Sequence, residues 1–526
     1  MKKRAKFNLS NFHNCTFKMG YLYPVNLTEV LPGDSVQLST SVFLRLAPMV
    51  VPVMHPVYMH LSNFFVPSRI LWDGFEDFIT GGPDGTDTSV LPKVTLNVTN
   101  SPVGSLSDAF GIPVQMLKDA KTFSVNSLPF IAYYMIWNEY FRDQDLNEAI
   151  DLSTITGTPS SLSLLRPSWA KDYFTTARPW PQKGPDVSVP VNLTAAGEPT
   201  IKIVPTGHPT FKSILELSRS GKVSSTNASS LRLTDKGLVT SAGPVTTDTF
   251  NFAAVEPQEI NADYLQWDDP GLSIEYTSGN PEFGSVNIND LREAFALQRF
   301  EEHRSMFGSR YEDLLRYLGV RPQDARLQLP EYLGGFSAPV QFSEVLQTSS
   351  DAERSGVGDM YGHGIGATKG RRIRRFIPEH GYIMSLLTVR PIPVYSQGLE
   401  RLWSKENRFD FWQKEYEHIG QQEIRNSEVY ADGDTAQDKA TFGYQNRYDE
   451  YRRGVNIITG EFRTNQDYWT MARIFASRPT LNGDFVSCMP TDRIFQVNEQ
   501  NSDQCYAMVK NNIIAKRLVS KNGNPM

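Results

Sequence analysis

Cysteine is scarce. Among 526 residues there are three, Cys15, Cys488 and Cys505, and no pair is spaced as Cys-x-x-Cys. That spacing excludes a thiol-ligated zinc site, and free buried thiols in a reducing compartment are the simplest reading. Long apolar runs are also missing. The most apolar stretch, 46–54, carries Pro48 and Pro52, so no membrane-spanning helix and no membrane insertion are expected. The first residues are charged, but no apolar run follows them, which argues against a secretory signal. The eight histidines are scattered, and none stands in a His-Glu-x-x-His pattern. Neither a metal nor a cofactor is expected.

Catalytic signatures are lacking as well. No Gly-x-Ser-x-Gly elbow is present to anchor a hydrolase triad. The run Gly362-His363-Gly364-Ile365-Gly366-Ala367-Thr368-Lys369 has no Gly before its Lys and no Ser or Thr after it. It fails the phosphate-loop pattern, and a flexible loop is expected there. Acid pairs such as Asp268-Asp269 and Glu301-Glu302 leave a two-carboxylate glycosidase formally open. Ordinary surface acids account for each of them equally well.

Negative charge is absent from both ends. No acid precedes Glu29, while Lys2, Lys3, Arg4, Lys6 and Lys18 do; none follows Lys510, where Lys510, Lys516, Arg517 and Lys521 stand. The whole chain carries a net charge of −6, so basic ends flank an acidic body. Lys369, Arg371, Arg372, Arg374 and Arg375 put five cations into seven residues. Solvated, frayed segments are one reading of these groups. Contact with a polyanion is the other, since guanidinium forks suit phosphate oxygens. On that second reading the nucleic-acid contacts are Lys2, Lys3, Arg4, Lys6, Arg371, Arg372, Arg374, Arg375, Lys510, Lys516, Arg517 and Lys521.

What the chain does contain is strand pattern. Ser35 to Leu46 alternates: Val36, Leu38, Thr40, Val42, Leu44 and Leu46 face one way, with Ser35, Gln37, Ser39, Ser41 and Arg45 opposite. That is a long half-buried strand. A second is expected over 53–66, with Val57, Met59 and Leu61 on one face. Tyr382 to Val389 is apolar on both faces and should be a strand buried on both sides. Residues 485–497 and 504–518 are late strand candidates that would pair back onto the first strand. Helices are expected over 72–79, 108–121, 128–142 and from Leu291 onward, with a further one opened by Ser309 and Glu312. The helix over 128–142 is strongly aromatic and apolar almost all round, so it should be buried.

These signals divide the chain into a basic arm (1–30), the first part of a sheet framework with inserted helices (31–180), a surface insertion (181–260), and the remainder with a basic C-terminal arm (261–526). In the arm, Phe7, Leu9, Phe12 and Phe17 are too widely spaced for a core of their own, so packing on a neighbour is expected. Between Pro181 and Ile260 the only aromatics are Phe211, Phe250 and Phe252, and short pieces such as Ile201–Val204 and Leu231–Leu233 suggest small strands. The fold expected is mainly β, the pattern of a jelly roll with long inserted loops and a few helices.

Several motifs carry a family resemblance. They are Gly20-Tyr21-Leu22-Tyr23-Pro24, Val30-Leu31-Pro32-Gly33-Asp34, Phe64-Phe65-Val66-Pro67-Ser68-Arg69 with Trp72, Leu291 to Gln298, Gly308-Ser309-Arg310-Tyr311, Pro330 to Gly335, and Asp467-Tyr468-Trp469. With them the chain resembles the major capsid proteins of microviruses, the small icosahedral single-stranded DNA phages, in their gokushovirus branch. The resemblance implies an eight-stranded antiparallel jelly roll of the viral capsid type, in a non-enzymatic structural protein, sixty copies of which close a T=1 shell around a circular single-stranded DNA genome. It also implies a middle insertion projecting at the three-fold axes and used for host attachment. The partners implied are an internal scaffolding protein, a DNA pilot protein, a small basic DNA-binding protein and a host surface receptor. The implied location is the virion, assembled in the bacterial cytoplasm. The alternative kept open is a carbohydrate-binding or carbohydrate-active jelly-roll protein, which would need a cleft with two carboxylates.

Overall fold

In a computed structural model the chain divides into two compact units, Met1–Pro185 with Arg299–Met526, and Asp186–Gln298. The residues described are 4–84, 86–117, 121–185, 187, the strands and helix named below between 193 and 307, then 328–348, 358–496 and 502–521; between 188 and 290 only the backbone is described.

The first unit is built on strands β1 (Ala5–Asn8), β2 (Asn11–Phe17), β3 (Tyr23–Val30), β4 (Ser35–Leu46), β5 (Val57–Pro67), β6 (Glu331–Pro339), β7 (Gln341–Leu346), β8 (Met360–Lys369), β9 (Ile373–Phe376), β10 (Gly381–Pro391) and β11 (Cys505–Arg517). They form two antiparallel sheets. In one, β4 lies at the centre. It pairs along its length with β11 on one side, and with β8 and then β9 on the other; β7 extends β8, while β1 and β2 pair with the far side of β11. The second sheet runs β6-β5-β10-β3.

Period-two burial explains how the sheets meet. Val42 and Leu44 of β4 and Val509 of β11 share a core with Met59 and Leu61 of β5 and Leu387 and Val389 of β10. The other faces of β5 and β10 present Phe64, Val66, Tyr382, Met384 and Leu386 to a second core. That core is filled by helix α1 (Leu128–Ile136). β10 is therefore covered on both sides, as its unbroken apolar run predicts. Within α1, Tyr133 is fully buried, and its hydroxyl is satisfied twice. It donates to the Leu22 carbonyl at 2.8 Å and accepts from the Leu165 N–H at 2.9 Å.

The fold is mainly β and antiparallel, as expected, with seven strands in one of these sheets and four in the other. Other expectations are corrected. Residues 5–17, read as an arm, are edge strands, and Phe17 packs in the chain's own core. The late strand expected over 504–518 forms as β11 and pairs with β4, so the basic segment 510–517 lies within the sheet rather than in a free arm. The glycine tract 362–369 is strand β8, not a loop. Its glycines recur at every second position because the facing groups come too close for a side chain. A Cβ on Gly362 would lie 2.2 Å from the Val51 carbonyl oxygen, and one on Gly364 would lie 2.8 Å from Leu46 Cδ1. Residues 485–496 form no strand, apart from single bridges at Ser487 and Phe495. Of the helix expected over 108–121, only a turn at Leu106–Ala109 and another at Val114–Met116 form.

Residues 288–307 form helix α2 (Ile288–Phe307), as the spacing predicts. The helix expected after Ser309 lies outside the described residues. In the second unit, short antiparallel strands include Ile201–Pro205 with Leu272–Tyr276, and Thr210–Ser213 between Leu231–Thr234 and Gln266–Asp269. This unit runs on to Gln298, past the expected limit of 260.

Candidate nucleic-acid interface

The registers of the first sheet gather cations that lie hundreds of residues apart. One row across it reads Lys6, Lys516, Ser35, Phe376. The next outward row reads Asn8, Ile514, Gln37, Arg374. Further along come Phe12, Lys510, Ser41, Lys369, and then Thr16, Tyr506, Arg45, Ile365. Their neighbours in sequence, Val36, Val42, Val509 and Ala515, are buried between the sheets. Alternation therefore turns Lys6, Arg45, Lys369, Arg374, Lys510 and Lys516 to the face away from the core, and all six are exposed. At the outward positions of these described strands no Asp or Glu occurs.

Rings share this face. Phe12 is 72% exposed and Phe376 54%, and Tyr506 stands exposed beside Arg45. The Arg4 guanidinium lies 5.7 Å from the Phe376 ring centre and donates to the Gly33 carbonyl and the Ser35 hydroxyl, each at 3.0 Å. Arg45 lies 5.5 Å over Phe43. Cations for phosphates interleaved with flat apolar surfaces for bases are the two components of a sequence-tolerant single-strand binding surface.

The other sequence candidates separate from this set. Arg517 points inward, pairs with the fully buried Asp34 carboxylate at 2.9 Å and donates to the Glu29 carbonyl at 2.7 Å. It is a structural residue. Arg375 is paired with Glu331 at 2.7 Å. Arg371 and Arg372 are exposed in the connection between β8 and β9, and Lys521 is exposed beyond β11. Lys2 and Lys3 lie outside the described residues. Arg45 and Tyr506 were not singled out as contacts from the sequence, and Phe12 was read only as packing on a neighbour. The parity of Arg45 with Gln37 and Ser41 was the available signal.

Two carboxylates do meet in a cleft, Glu428 and Glu450. Between them lies Arg401, whose Nη1 is 3.1 Å from Glu428 and whose Nε is 3.7 Å from Glu450. Glu428 also accepts from the Tyr173 hydroxyl at 2.8 Å and from the Arg425 N–H at 3.0 Å. Burial raises the Glu428 carboxyl pKa, and Arg401 draws it part of the way back. Both acids are held in one ion-pair network, which leaves neither free as a glycosidase acid or base. Burial likewise pushes the Cys15 and Cys488 thiols up to about 12, so both are inert in the fold. Among the described residues no cluster of metal-ligating side chains occurs, and no helix is long and apolar enough to cross a membrane.

A family model described as capsid protein (F protein) matches residues 1–525. The chain belongs to that phage capsid protein family. Capsid protein VP1 of Chlamydia phage 1 is 33% identical to it over 560 residues, covering 96% of this chain and 92% of its own. Capsid protein VP1 of Bdellovibrio phage phiMH2K is 33% identical over 504 residues, covering 93% and 89%. Capsid protein VP1 of Spiroplasma virus 4 is 28% identical over 509 residues, covering 92% and 87%. This capsid protein is thus a structural component of a virion and not an enzyme, which retires the carbohydrate-active alternative. Membership in a capsid family also means that it assembles with further copies of itself.

Proposed function

We propose that this capsid protein closes a T=1 icosahedral shell of sixty copies around circular single-stranded DNA, with the basic face of the first sheet turned toward the genome. The observation that carries this reading is the convergence of Lys6, Arg374, Lys510 and Lys516 on one sheet face whose described outward strand positions hold no Asp or Glu. A chain of net charge −6 repels a polyanion unless its charge is segregated. Segregation on this face supplies local contact, and a small basic DNA-binding partner supplies the remaining neutralisation. The two-sheet framework is read as a jelly roll of the viral type, with β1 and β2 added at the edge of β11. Assembly proceeds in the host cytoplasm with an internal scaffolding protein, and a DNA pilot protein accompanies the genome. The separate unit Asp186–Gln298 is assigned to host attachment through a surface receptor.

The test is to express the shell with Lys6, Arg374, Lys510 and Lys516 all replaced by Ala. Particles should form, and their DNA should be lost to nuclease at moderate salt while the unaltered shell keeps it. Unchanged retention would refute the genome-facing assignment. Deleting residues 186–298 should leave particles that no longer adsorb to host cells; failure to form particles at all would make that unit architectural.

A further inference from the structure

Both sheets are irregular at the same place. In the first, β8 pairs with β4 as far as Lys369↔Ser41, and β9 resumes at Ile373↔Leu38, so residues 370–372 leave the ladder. The departure is anchored by the Gly370 N–H donating to the Thr40 carbonyl at 2.7 Å and the Ser39 hydroxyl donating to the Gly370 carbonyl at 3.1 Å. In the second, the β6–β5 register shifts between Tyr332 and Gly334, leaving Leu333 as an extra residue, and Gly334 takes a φ of +119°. Paired breaks of this kind open a sheet edge and are enriched beside binding sites.

Between them lies a cavity of about 290 Å³. That is close to the lower bound of small-molecule sites, ~300 Å³. Its apolar walls come from Leu38, Leu61, Leu333, Phe336 and Ile373, and Thr40 and Asn63 stand among them with their polar groups bonded to Asn511, Gly334 and Ser385. The backbone closes in where only glycine fits: a Cβ on Gly370 would stand 2.8 Å from the Phe336 ring, and one on Gly335 would stand 2.0 Å from the Leu61 carbonyl oxygen. Arg371, Arg372 and Arg374 also line it, and all three are exposed. Among the described residues none of the three has an ion-pair partner, whereas the adjacent Arg375 is neutralised by Glu331. Arg374 lines the cavity and also stands in an outward row of the basic sheet face.

We propose that this cavity receives one unstacked base of the packaged strand, with the flanking phosphates held by Arg371, Arg372 and Arg374. The proposal rests on the genome-facing reading of the first sheet. An apolar slot with unpaired cations beside it matches a nucleotide, whose flat base loses water on insertion while its phosphate stays at the charged rim. The polar groups of Thr40 and Asn63 are bonded within the protein, so contact with the apolar walls dominates and the slot selects a base over no base rather than one sequence over another.

The full chain can be titrated with oligodeoxythymidylate and with an abasic strand of equal length and charge. Stacking of one base is worth about 1–3 kcal/mol, so the thymidylate strand should bind roughly ten-fold tighter. Leu333→Trp fills the slot and should bring that ratio close to one. In the unaltered protein, which needs no variant to fold, a 2-aminopurine placed in the strand should become protected from acrylamide quenching. A ratio that survives Leu333→Trp, together with an unprotected 2-aminopurine, overturns the slot while leaving the basic face standing. If neither strand binds, the genome-facing reading itself falls.

Discussion

Lys516 and Arg517 are neighbours in sequence and opposites in the fold, and replacing each by Ala should separate the two roles that cations play here. Lys516 sits outward on β11 between Lys6 and Ser35, exposed to solvent. Its loss leaves no buried group unpaired, so stability should change by no more than about 0.5 kcal/mol. What it should lose is one phosphate contact. For single strands each contact contributes about 0.7 to the slope of log affinity against log salt, so the slope of Lys516→Ala should be shallower by about that amount. Arg517 faces the other way, onto an Asp34 carboxylate that has no solvent exposure. Removing it strands a buried charge, which costs about 3–5 kcal/mol, while the salt slope of the folded protein should not move. The assays are fluorescence anisotropy with a labelled oligodeoxythymidylate over a salt series, and urea unfolding of the same two variants. A Lys516→Ala protein with the unaltered slope, or an Arg517→Ala protein as stable as the parent, would refute the assignment of faces.

Three further outcomes are expected. Gly362→Ala forces a methyl against the Val51 carbonyl, 2.2 Å away, and should lower stability by about 1–3 kcal/mol in urea unfolding; no loss would mean that β8 is not held against residues 51–52. Burial would raise the Asp143 carboxyl, but Arg178 and Lys171 outweigh it and hold the group below the usual carboxylate range. The stability this contributes is fully present above about pH 3.9 and is lost as pH falls through the lower folded value. The melting-temperature gap between the parent and Asp143→Asn should therefore narrow on acidification, and a gap independent of pH would contradict the pairing. His60 is lowered from 6.5 to about 4 by burial first and by Arg390 second. The unfolded chain then takes up the proton first, so the parent should lose stability as pH falls from 6.5 to about 4, and His60→Gln should lose less, as read by thermal melting at each pH.

The framework was legible wherever one face was apolar. β4 and β11 follow their alternation, and β10 follows its unbroken apolar run, because burial on one or both faces leaves a direct mark on sequence. β1 and β2 were not legible as strands. In β2 the inward positions hold Asn11, His13, Cys15 and Phe17, while Phe12 faces out, so apolar character does not track the pleat. These residues become strand because β11 offers them a free edge, a tertiary cause with no local signal. β8 was hidden for a different reason. Glycine at 362, 364 and 366 reads as flexibility, yet its period of two was the trace of a tightly covered face. The basic residues were visible one at a time, but their convergence was not. It depends on pairings such as Lys6↔Lys516, which no local pattern encodes. The same registers removed Arg517 and Arg375 from the set by giving each a carboxylate.

The position of β11 makes completeness a condition of folding. It lies between β4 on one side and β1 and β2 on the other, so strands synthesised first wait for the strand synthesised last of those described. A ribosome-bound or prematurely ended chain lacking residues 505–517 exposes one open edge along the whole of β4, and β1 and β2 have nothing to join. Its cations remain dispersed, with no shared surface to offer a nucleic acid. A chain ended before residue 505 therefore lacks both the edge that holds β1 and β2 and the outward rows that gather the cations.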